Sequence, residues 1–290
     1  MDVKPHKDFL ELHALPAEVI HGLVDRAGEL AQYWRERNMP STLRDKRVGL
    51  IIDDTGWRNT TAFDLGAQAM GGICVQIPIS LGSRESIADL AGYLDNWFDL
   101  LVVRTKELTA LQALASAAAA PIINARTRAN HPCETLGDLA YIKHVKGTLE
   151  GLKVVVIAPD ANILRSWVEA SIALPIQVVQ VYPQAWHFTD AQLLNANFEI
   201  SSDIAHVLDA DVIVTDCLPK NAPQEQLLDY QVSAALLDKA RKDLLFLACP
   251  PVTRGGEVTA DAMLHKSCRS VEAKAFLLHA QNALMEWAVS

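Results

Sequence analysis

The sequence lacks the features that identify several large classes of proteins. Its five cysteines are widely spaced and form no CxxC pair, which indicates reduced thiols and no structural zinc (Cys74, Cys133, Cys217, Cys249 and Cys268). No run of about 18 apolar residues occurs, and residues 1–16 contain no apolar core of signal-peptide length. We therefore expect a cytoplasmic protein with no membrane partner.

Positive charge is also scarce. The chain contains 26 Lys and Arg residues against 35 Asp and Glu residues, which gives a formal net charge of −9. A nucleic-acid-binding protein needs a basic face to meet the phosphate backbone, so this charge argues against a nucleic-acid partner. A small anionic ligand needs only a few local cations and is compatible with the same composition.

The glycine-rich motifs of nucleotide-binding proteins are missing as well. The strand-like segment KVVVIA is followed by PDANIL, which contains no glycine, whereas a dinucleotide-binding fold places GxGxxG at this point. No Walker A sequence occurs either. A nicotinamide-dependent enzyme is therefore nearly excluded.

What the chain does contain is a regular alternation of strand-like and helix-like segments. Apolar segments such as LLVVR (100–104) and KVVVIA (153–158) alternate with helical patterns, in two series separated by a glycine-containing break at 146–151. In the second series we expect strands at KVVVIA, IQVVQVY, DVIVTD and LLFLAC, and a helix near 191–195. This alternation predicts an α/β protein whose parallel strands are covered by helices on both faces. A chain of 290 residues has room for two ordinary domains or one large domain.

One stretch, VGLIIDDTGWRNTTAFDLGAQAMGG (48–72), predicts an anion site. We expect a buried strand at 48–52, a polar turn at 53–59 and a helix at 60–70 closed by two glycines. A helix that begins directly after a strand presents unpaired backbone N–H groups and the positive end of its dipole. Arg58 adds a cation to this turn. The alternative is an ordinary turn with a solvated surface arginine.

Further cationic or titratable groups follow other strands of the first half. Arg104 closes one strand and His131 follows another, and ligands of open parallel sheets bind at this carboxyl edge. Two guanidinium groups can hold a phosphate dianion, and a histidine can donate a hydrogen bond to a nearby carbonyl oxygen. Arg84, in the loop at 80–86, is a fourth candidate. Taken singly, Arg104 could instead cap a sheet edge and His131 could cap a helix.

The second half presents a carboxylate, an amide and a thiol after its strands. Asn162, Asp216 and Cys249 occupy such positions, and Arg254 follows in a glycine-containing loop. This set suits a small polar acceptor such as an amine that carries its own carboxylate. The alternatives are that Cys249 is a small buried apolar residue and that Asp216 simply ends a strand.

Several motifs, in order and at matching spacing, make the chain resemble the aspartate/ornithine carbamoyltransferase family, nearer to the ornithine branch. HPCETLGDL (131–139) looks like the family's His-Pro-Cys-Gln helix start, and RNTTAFDLGAQAMGG resembles its Ser-Thr-Arg-Thr-Arg segment. The other matches are the loop at 80–85, VVRT (102–105), CPPVTRGGEV (249–258) and LLHAQNAL (277–284). The resemblance covers essentially the whole chain.

The resemblance implies two doubly wound parallel-sheet domains joined by helices, in a homotrimer or a multiple of trimers. Residues 1–142 with the C-terminal helix at 268–290 would form the carbamoyl-phosphate-binding domain, and residues 143–267 the acceptor-binding domain. Such an enzyme transfers a carbamoyl group from carbamoyl phosphate to an amine or amino acid, with neither a metal nor an organic cofactor.

The resemblance also assigns residues by position. Arg58 and Arg104 would hold the phosphate, His131 would contact the carbamoyl oxygen, Cys249 would lie near the reacting amine, and these four form the expected catalytic set. The donor site would comprise Trp57, Arg58, Asn59, Thr60, Arg84, Arg104, His131 and Glu134, with Arg84 reaching into the adjacent subunit. The acceptor site would comprise Asn162, Asp216, Cys249, Pro250 and Arg254.

Several positions depart from the family pattern. Gly56 and Thr60 replace a serine and an arginine, Glu134 replaces a glutamine, and Leu277 replaces an arginine expected at the carbamoyl group. The segment that begins at Asp216 also lacks the family's Ser-Met-Gly. We therefore expect an acceptor other than plain ornithine. The alternative is a catalytically silent homologue that binds a small anion or a partner and acts in regulation or as a scaffold.

Overall fold

The computed structural model describes residues 7–52, 56–82, 85–219 and 223–290, and it divides into two compact units. Unit 1 comprises residues 1–141 and 275–290, and unit 2 comprises residues 142–274. Both units are α/β structures built on one parallel sheet, which confirms the predicted fold class. None of the helices in the described part of the chain is long and apolar enough to cross a membrane.

Unit 1 contains a four-stranded parallel sheet in the order β2-β1-β3-β4. Its elements in chain order are α1 (Ala17–Arg35), β1 (Arg47–Ile52), α2 (Trp57–Ala69), β2 (Ile73–Ile77), α3 (Ile87–Asp95), β3 (Leu100–Arg104), α4 (Leu108–Ala117) and β4 (Ile122–Arg126). Helix α5 (Pro132–Lys146) begins in unit 1 and ends in unit 2. Helix α8 (Ser270–Val289) begins in unit 2 and ends in unit 1. The strands β1, β3 and β4 are almost wholly buried, as expected for a sheet covered on both faces.

A glycine in the central strand shows how tightly this sheet is packed. A Cβ atom at Gly49 would lie 2.9 Å from side-chain atoms of both Ile77 on β2 and Leu101 on β3. Side chains of the two neighbouring strands therefore fill the space above the strand centre. On one side of the sheet, α3 and α4 contribute Leu90, Leu94, Leu111 and Leu114 to a buried apolar cluster.

Unit 2 contains a five-stranded parallel sheet in the order β7-β6-β5-β8-β9. Its elements are β5 (Lys153–Ile157), α6 (Asn162–Ala173), β6 (Gln177–Val181), β7 (Phe198–Ser201), β8 (Val212–Thr215), α7 (Ala234–Leu237) and β9 (Leu245–Ala248). Valines and isoleucines of the three central strands, together with Phe246, form its buried core. The sequence predicted all of these strands except β7, and it wrongly placed a helix near 191–195, where the chain forms turns.

Helix α2 begins three residues earlier than the sequence predicted. The backbone N–H of Thr60 donates to the carbonyl of Gly56 at 3.0 Å, so the first turn includes Trp57, Arg58 and Asn59. These three residues were expected in a loop. Their placement in a helix fixes the direction of each side chain, because successive helical residues point about 100° apart.

Candidate active site

The candidate donor site in unit 1 lies where the carboxyl ends of β1, β3 and β4 meet the starts of α2 and α5. The sheet register pairs Ile52 with Arg104 and Arg104 with Arg126, so three strands end at one level. Helix α2 begins at Trp57, shortly after β1, and α5 begins at Pro132, shortly after β4. The sequence correctly located these strand ends, and the described residues bring several of the expected side chains to this edge.

Arg104 lies directly against the turn that begins α2. A Cβ atom at Gly56 would be 2.7 Å from Nε and 2.8 Å from both Cδ and Cζ of Arg104. These distances are far below van der Waals contact, so the missing side chain at position 56 makes room for this guanidinium group. The family's serine is therefore replaced by a residue that lets Arg104 approach the helix start.

Arg58 belongs to the same turn and is half-buried. Its Cζ atom lies 4.8 Å from the centroid of the Trp57 ring, which is within the range of a cation–π contact. Trp57 is itself 65% exposed. The hydroxyl of Thr60 donates to the carbonyl of Gly56 at 3.2 Å and so contacts its own helix. The N-terminal turn of α2 therefore provides one guanidinium group, held beside an exposed aromatic ring.

Asn59 is buried within unit 1 and is bonded to three other segments. Its Nδ2 atom donates to the carbonyl of Ala125 at 3.3 Å and lies 3.5 Å from Nε2 of His131. Its Oδ1 atom accepts a hydrogen bond from Nε2 of Gln281 at 2.8 Å. Asn59 thus connects the end of β4, the start of α5 and the middle of α8.

The start of α5 supplies His131 and two buried carboxyl groups. Nε2 of His131 lies 3.9 Å from Oε2 of Glu134, a pair that attracts when the imidazole is protonated. Asp138 follows one helical turn after Glu134, and burial raises the pKa of its carboxyl group to about 7. This end of the site therefore combines one imidazole with the carboxyl group of Glu134. Asp138 is a second buried acidic residue, one helical turn further along α5.

Leu277 occupies the position where the resemblance expected an arginine. It is buried on α8 and packs against α5, because a Cβ atom at Gly137 would lie 3.0 Å from the Leu277 Cα atom. An apolar side chain here supplies no hydrogen bond to a bound anion. Arg84 lies outside the described residues, so its proposed role stays a prediction.

In unit 2 the expected acceptor residues also follow the carboxyl ends of strands. Asn162 is the first residue of α6, Asp216 follows β8, and Cys249 follows β9. The register pairs Thr215 with Ala248, and the Cys249 N–H donates to the Thr215 carbonyl at 3.2 Å. Asp216 and Cys249 therefore leave adjacent strands at the same level.

The chain after Cys249 forms an exposed turn over a buried glutamate. The peptide bond between Pro250 and Pro251 is cis, and the Cys249 thiol donates to the Pro250 carbonyl at 3.9 Å. Arg254 is exposed on the turn. Below it, Oε1 of Glu257 accepts from the Thr253 N–H at 2.6 Å, whereas its buried Oε2 atom has no hydrogen-bond partner among the described residues.

Electrostatic effects connect these acidic groups with Tyr182 and Cys217. Burial, with the charges of Asp216 and Glu257, raises the pKa of the Tyr182 phenol and raises that of the Cys217 thiol to about 11. The buried phenol oxygen of Tyr182 has no hydrogen-bond partner within the described parts of the chain. Unit 2 therefore presents a negatively charged region at the edge of its sheet.

Sequence reasoning missed four residues of these two regions: Asp138, Tyr182, Glu257 and Gln281. The signal for Gln281 was available, since it is one of three polar residues in the segment LLHAQNAL (277–284) and is four positions after Leu277. Asp138 likewise follows Glu134 at helical spacing. Tyr182 and Glu257 gave no such signal, because only the folded chain brings them near Asp216.

Comparison with protein families gives two adjacent matches that together cover nearly the whole chain. A family model described as the carbamoyl-P binding domain of aspartate/ornithine carbamoyltransferase matches residues 7–144. A second, described as the Asp/Orn binding domain of aspartate/ornithine carbamoyltransferase, matches residues 150–288.

Individual relatives agree with these matches. The chain is 32% identical over 299 residues to the ornithine carbamoyltransferase of Oceanobacillus iheyensis, covering 96% of this chain and 93% of that protein. The Bacillus subtilis ornithine carbamoyltransferase is 31% identical over 300 residues, with coverage of 97% and 93%. The solved structure of the Pyrococcus furiosus ornithine carbamoyltransferase superposes with a TM-score of 0.91 at 27% identity, covering 97% of this chain and 96% of that chain.

Proposed function

This chain belongs to the aspartate/ornithine carbamoyltransferase family, and we propose that it transfers a carbamoyl group from carbamoyl phosphate to an amine or amino acid. The observation that carries the proposal is the contact between Arg104 and the turn that begins α2. The Arg104 guanidinium group lies within 2.8 Å of the Cβ position of Gly56, two residues before Arg58. Two cations and a helix N-terminus at one sheet edge suit a phosphate dianion.

In this proposal unit 1 binds the donor. Arg58 and Arg104 hold the phosphate, and the first N–H groups of α2 point toward it. His131 and Glu134 lie near the carbamoyl end. Because a carboxylate accepts hydrogen bonds, Glu134 suits the NH₂ group of the carbamoyl moiety.

In this reaction the protein contributes mainly fixed charges rather than side chains that react with the substrates. The amine nitrogen attacks the carbamoyl carbon, a C–N bond forms, and the C–O bond to phosphate breaks. The phosphate departs with the bonding electron pair and takes up the proton that the attacking nitrogen loses, so that it leaves as hydrogen phosphate. Negative charge grows on the phosphate during this step, so preorganised guanidinium groups stabilise the transition state more than the ground state.

Unit 2 binds the acceptor in this proposal. Asp216 holds a non-reacting ammonium group of the acceptor, Asn162 offers an amide for a polar group, and Cys249 lies near the reacting amine. The backbone around Pro250 and the turn that carries Arg254 form the rest of the proposed acceptor site. The negative region formed by Asp216 and Glu257 supports a cationic acceptor, because opposite charges attract strongly where water is partly excluded.

We further propose that the preferred acceptor is not plain ornithine. Two departures support this: the segment after Asp216 lacks the family's Ser-Met-Gly, and Tyr182 adds a bulky phenol close to the acidic region. Ornithine is nevertheless the reference compound for any assay, because the curated relatives at 32% and 31% identity are named ornithine carbamoyltransferases.

Calorimetric titration with carbamoyl phosphate tests donor binding. We expect measurable binding to the unmodified protein and a loss of at least 10-fold in affinity for Arg58→Ala, since a hydrogen bond to a charged group contributes about 1.5–3 kcal/mol. Arg44→Ala is the matched control, because Arg44 is an exposed arginine of the same unit. It should bind like the unmodified protein.

An assay of phosphate release across amines and amino acids, ornithine included, tests the transfer. Release with one acceptor supports the enzyme, and faster release with ornithine than with every other compound would reject the proposed acceptor preference. Binding of carbamoyl phosphate without release with any amine would reject the enzyme and favour the silent homologue. Equal affinities for the protein and its Arg58→Ala variant would reject the phosphate role of Arg58.

A further inference from the structure

The amide group of Asn59 has an orientation that its neighbours determine. A backbone carbonyl can only accept hydrogen bonds, so the Ala125 carbonyl at 3.3 Å requires the NH₂ side of the Asn59 amide. On the other side, Nε2 of Gln281 donates to Oδ1 of Asn59 at 2.8 Å. Reversing the Asn59 amide would place oxygen against oxygen and nitrogen against nitrogen. The Ala125 carbonyl therefore selects one orientation of the Asn59 amide, and the hydrogen bond from Gln281 is consistent with it.

This orientation has a consequence for His131. The Asn59 NH₂ group that faces Ala125 also lies 3.5 Å from Nε2 of His131. A group that carries hydrogens can face Nε2 favourably only when that nitrogen is an acceptor. A neutral imidazole with an accepting Nε2 carries its proton on Nδ1. Asn59 thus favours one of the two neutral forms of the ring.

Other charged groups of the site act on the same ring. Oε2 of Glu134, on α5, lies 3.9 Å from Nε2 and favours a proton there. Arg58 on α2 and Arg104 and Arg126 at the ends of β3 and β4 are cations of the same sheet edge. A positive charge close to an imidazole opposes its protonation. The protonation of His131 is therefore a balance in which the Asn59 amide opposes Glu134.

We propose that Gln281, in the middle of the C-terminal helix, is a positioning residue that holds Asn59 so that Nε2 of His131 stays an unprotonated hydrogen-bond acceptor. Gln281 is fully buried, and its hydrogen bond to Asn59 joins two side chains that lie far apart in the sequence. The assignment of this ring to carbamoyl transfer rests on the proposed function, whereas its protonation does not. In that form the single lone pair of Nε2 faces the Asn59 NH₂ group, and Nε2 has no proton to donate to a ligand.

Nitrogen-15 NMR of the imidazole rings in the ligand-free protein tests this proposal. The His131 resonances are assigned by their loss in His131→Gln. The spectrum is recorded at pH about 8, above the ordinary histidine pKa of ~6.5. We expect the nitrogen-15 chemical shift of Nε2 to be that of an unprotonated imidazole nitrogen. Gln281→Glu replaces the donor that faces Asn59 with a carboxylate, so we expect the proton to move to Nε2 and the pKa of His131 to rise by about one unit.

Two further variants make the result specific. Gln68→Glu introduces the same charge on the exposed face of α2 and should leave the His131 spectrum unchanged. If Gln281→Glu does not fold, Asn59→Asp provides the same test, because it replaces the NH₂ group facing Nε2 with an oxygen and should also protonate Nε2.

A protonated Nε2 in the unmodified protein would overturn the proposal, as would an unchanged His131 spectrum in a folded Gln281→Glu or Asn59→Asp variant. No substrate is present in these measurements. A failure to find carbamoyl transfer would therefore reject the proposed function without affecting the His131 result. A contrary His131 spectrum would reject this proposal without affecting the proposed function.

Discussion

Gly56 shows how one missing side chain can organise a candidate site. A Cβ atom at this position would lie 2.7 Å from Nε of Arg104, so any larger residue would have to displace that side chain. In the sequence, Gly56 is a departure from the family's serine and removes a hydroxyl group. The packing indicates a second effect, because the glycine also admits a cation to the start of α2.

Gly56→Ala should therefore weaken anion binding without unfolding the protein. The atoms that the new methyl group would meet belong to a flexible side chain, which can move away at little cost. We expect carbamoyl phosphate to bind roughly 10-fold more weakly, equivalent to about 1.4 kcal/mol, in a calorimetric titration. Gly92→Ala, in an open position on α3, is the control and should bind normally. Unchanged binding in Gly56→Ala would show that Arg104 does not contact the anion.

Asp138 should make the stability of the protein depend on pH. Burial raises its folded-state pKa to about 7, above the usual unfolded value of ~3.9. Between these two values the folded state holds more protons than the unfolded state, so stability falls as pH rises, by up to ~1.4 kcal/mol per pH unit. Above the folded pKa this dependence ends.

The Asp138→Asn variant cannot ionise at this position and should lose that dependence. Urea unfolding at several pH values between about 4 and 8 measures the difference between the two proteins. We expect the variant to gain stability relative to the unmodified protein as pH rises through this interval. A difference that does not change with pH would contradict the raised pKa.

At the level of elements, α2 and α8 are in unusually close contact. A Cβ atom at Gly66 on α2 would overlap Oδ1 of Asn282 on α8. The Asn282 side chain is fully buried, and neither of its amide atoms has a hydrogen-bond partner among the described residues. The contact therefore depends on shape, because the Asn282 amide occupies the space that a side chain at position 66 would need. Because α2 carries Arg58 and α8 carries Gln281, this packing also sets the positions of two site residues.

Gly66→Ala should destabilise the protein, because the new methyl group overlaps the Asn282 amide. We expect a loss of about 1–3 kcal/mol in the free energy of unfolding. Asn282→Ala removes a buried amide that lacks a partner and should cost much less than this. The double variant should recover most of the loss, which a double-mutant cycle in urea measures. Additive effects of the two substitutions would show that the side chains do not meet.

At the level of the whole molecule, the oligomeric state stays a prediction from the resemblance. Strand β2 is an edge strand of unit 1 and exposes Ile73 and Val75, which are 59% and 44% accessible. Exposed apolar edge strands promote association, and a partner subunit would cover them. Such a partner would also give Arg84 a neighbouring site to enter.

Light scattering should accordingly give three times the mass of one chain, or a multiple of that value. Val75→Lys places a charge on the exposed edge of unit 1 and should lower the mass. Leu264→Lys changes an exposed leucine of unit 2 and serves as the control. A monomeric unmodified protein would reject the homotrimer and, with it, the role of Arg84 in an adjacent subunit.

The sequence by itself determined the fold class and the edge of each sheet where the candidate sites lie. Apolar strand segments alternate with amphipathic helices. This pattern can be read from the sequence because it depends on residues that are close together in the chain. Arg58, Arg104 and His131 could be located in the same way, since Arg104 ends a strand and the other two follow strands. The predicted helix near 191–195 failed, and β7 was missed, because short segments take their conformation from the sheet they join.

Only the tertiary structure decided how these residues are held. Gly56 admits Arg104, Gln281 orients Asn59, and Leu277 packs against Gly137, and each pair joins segments that are far apart in the chain. No local pattern specifies such contacts, because they depend on the distances between packed elements. Asp138 likewise acquires its raised pKa from burial, which exists only in the folded chain.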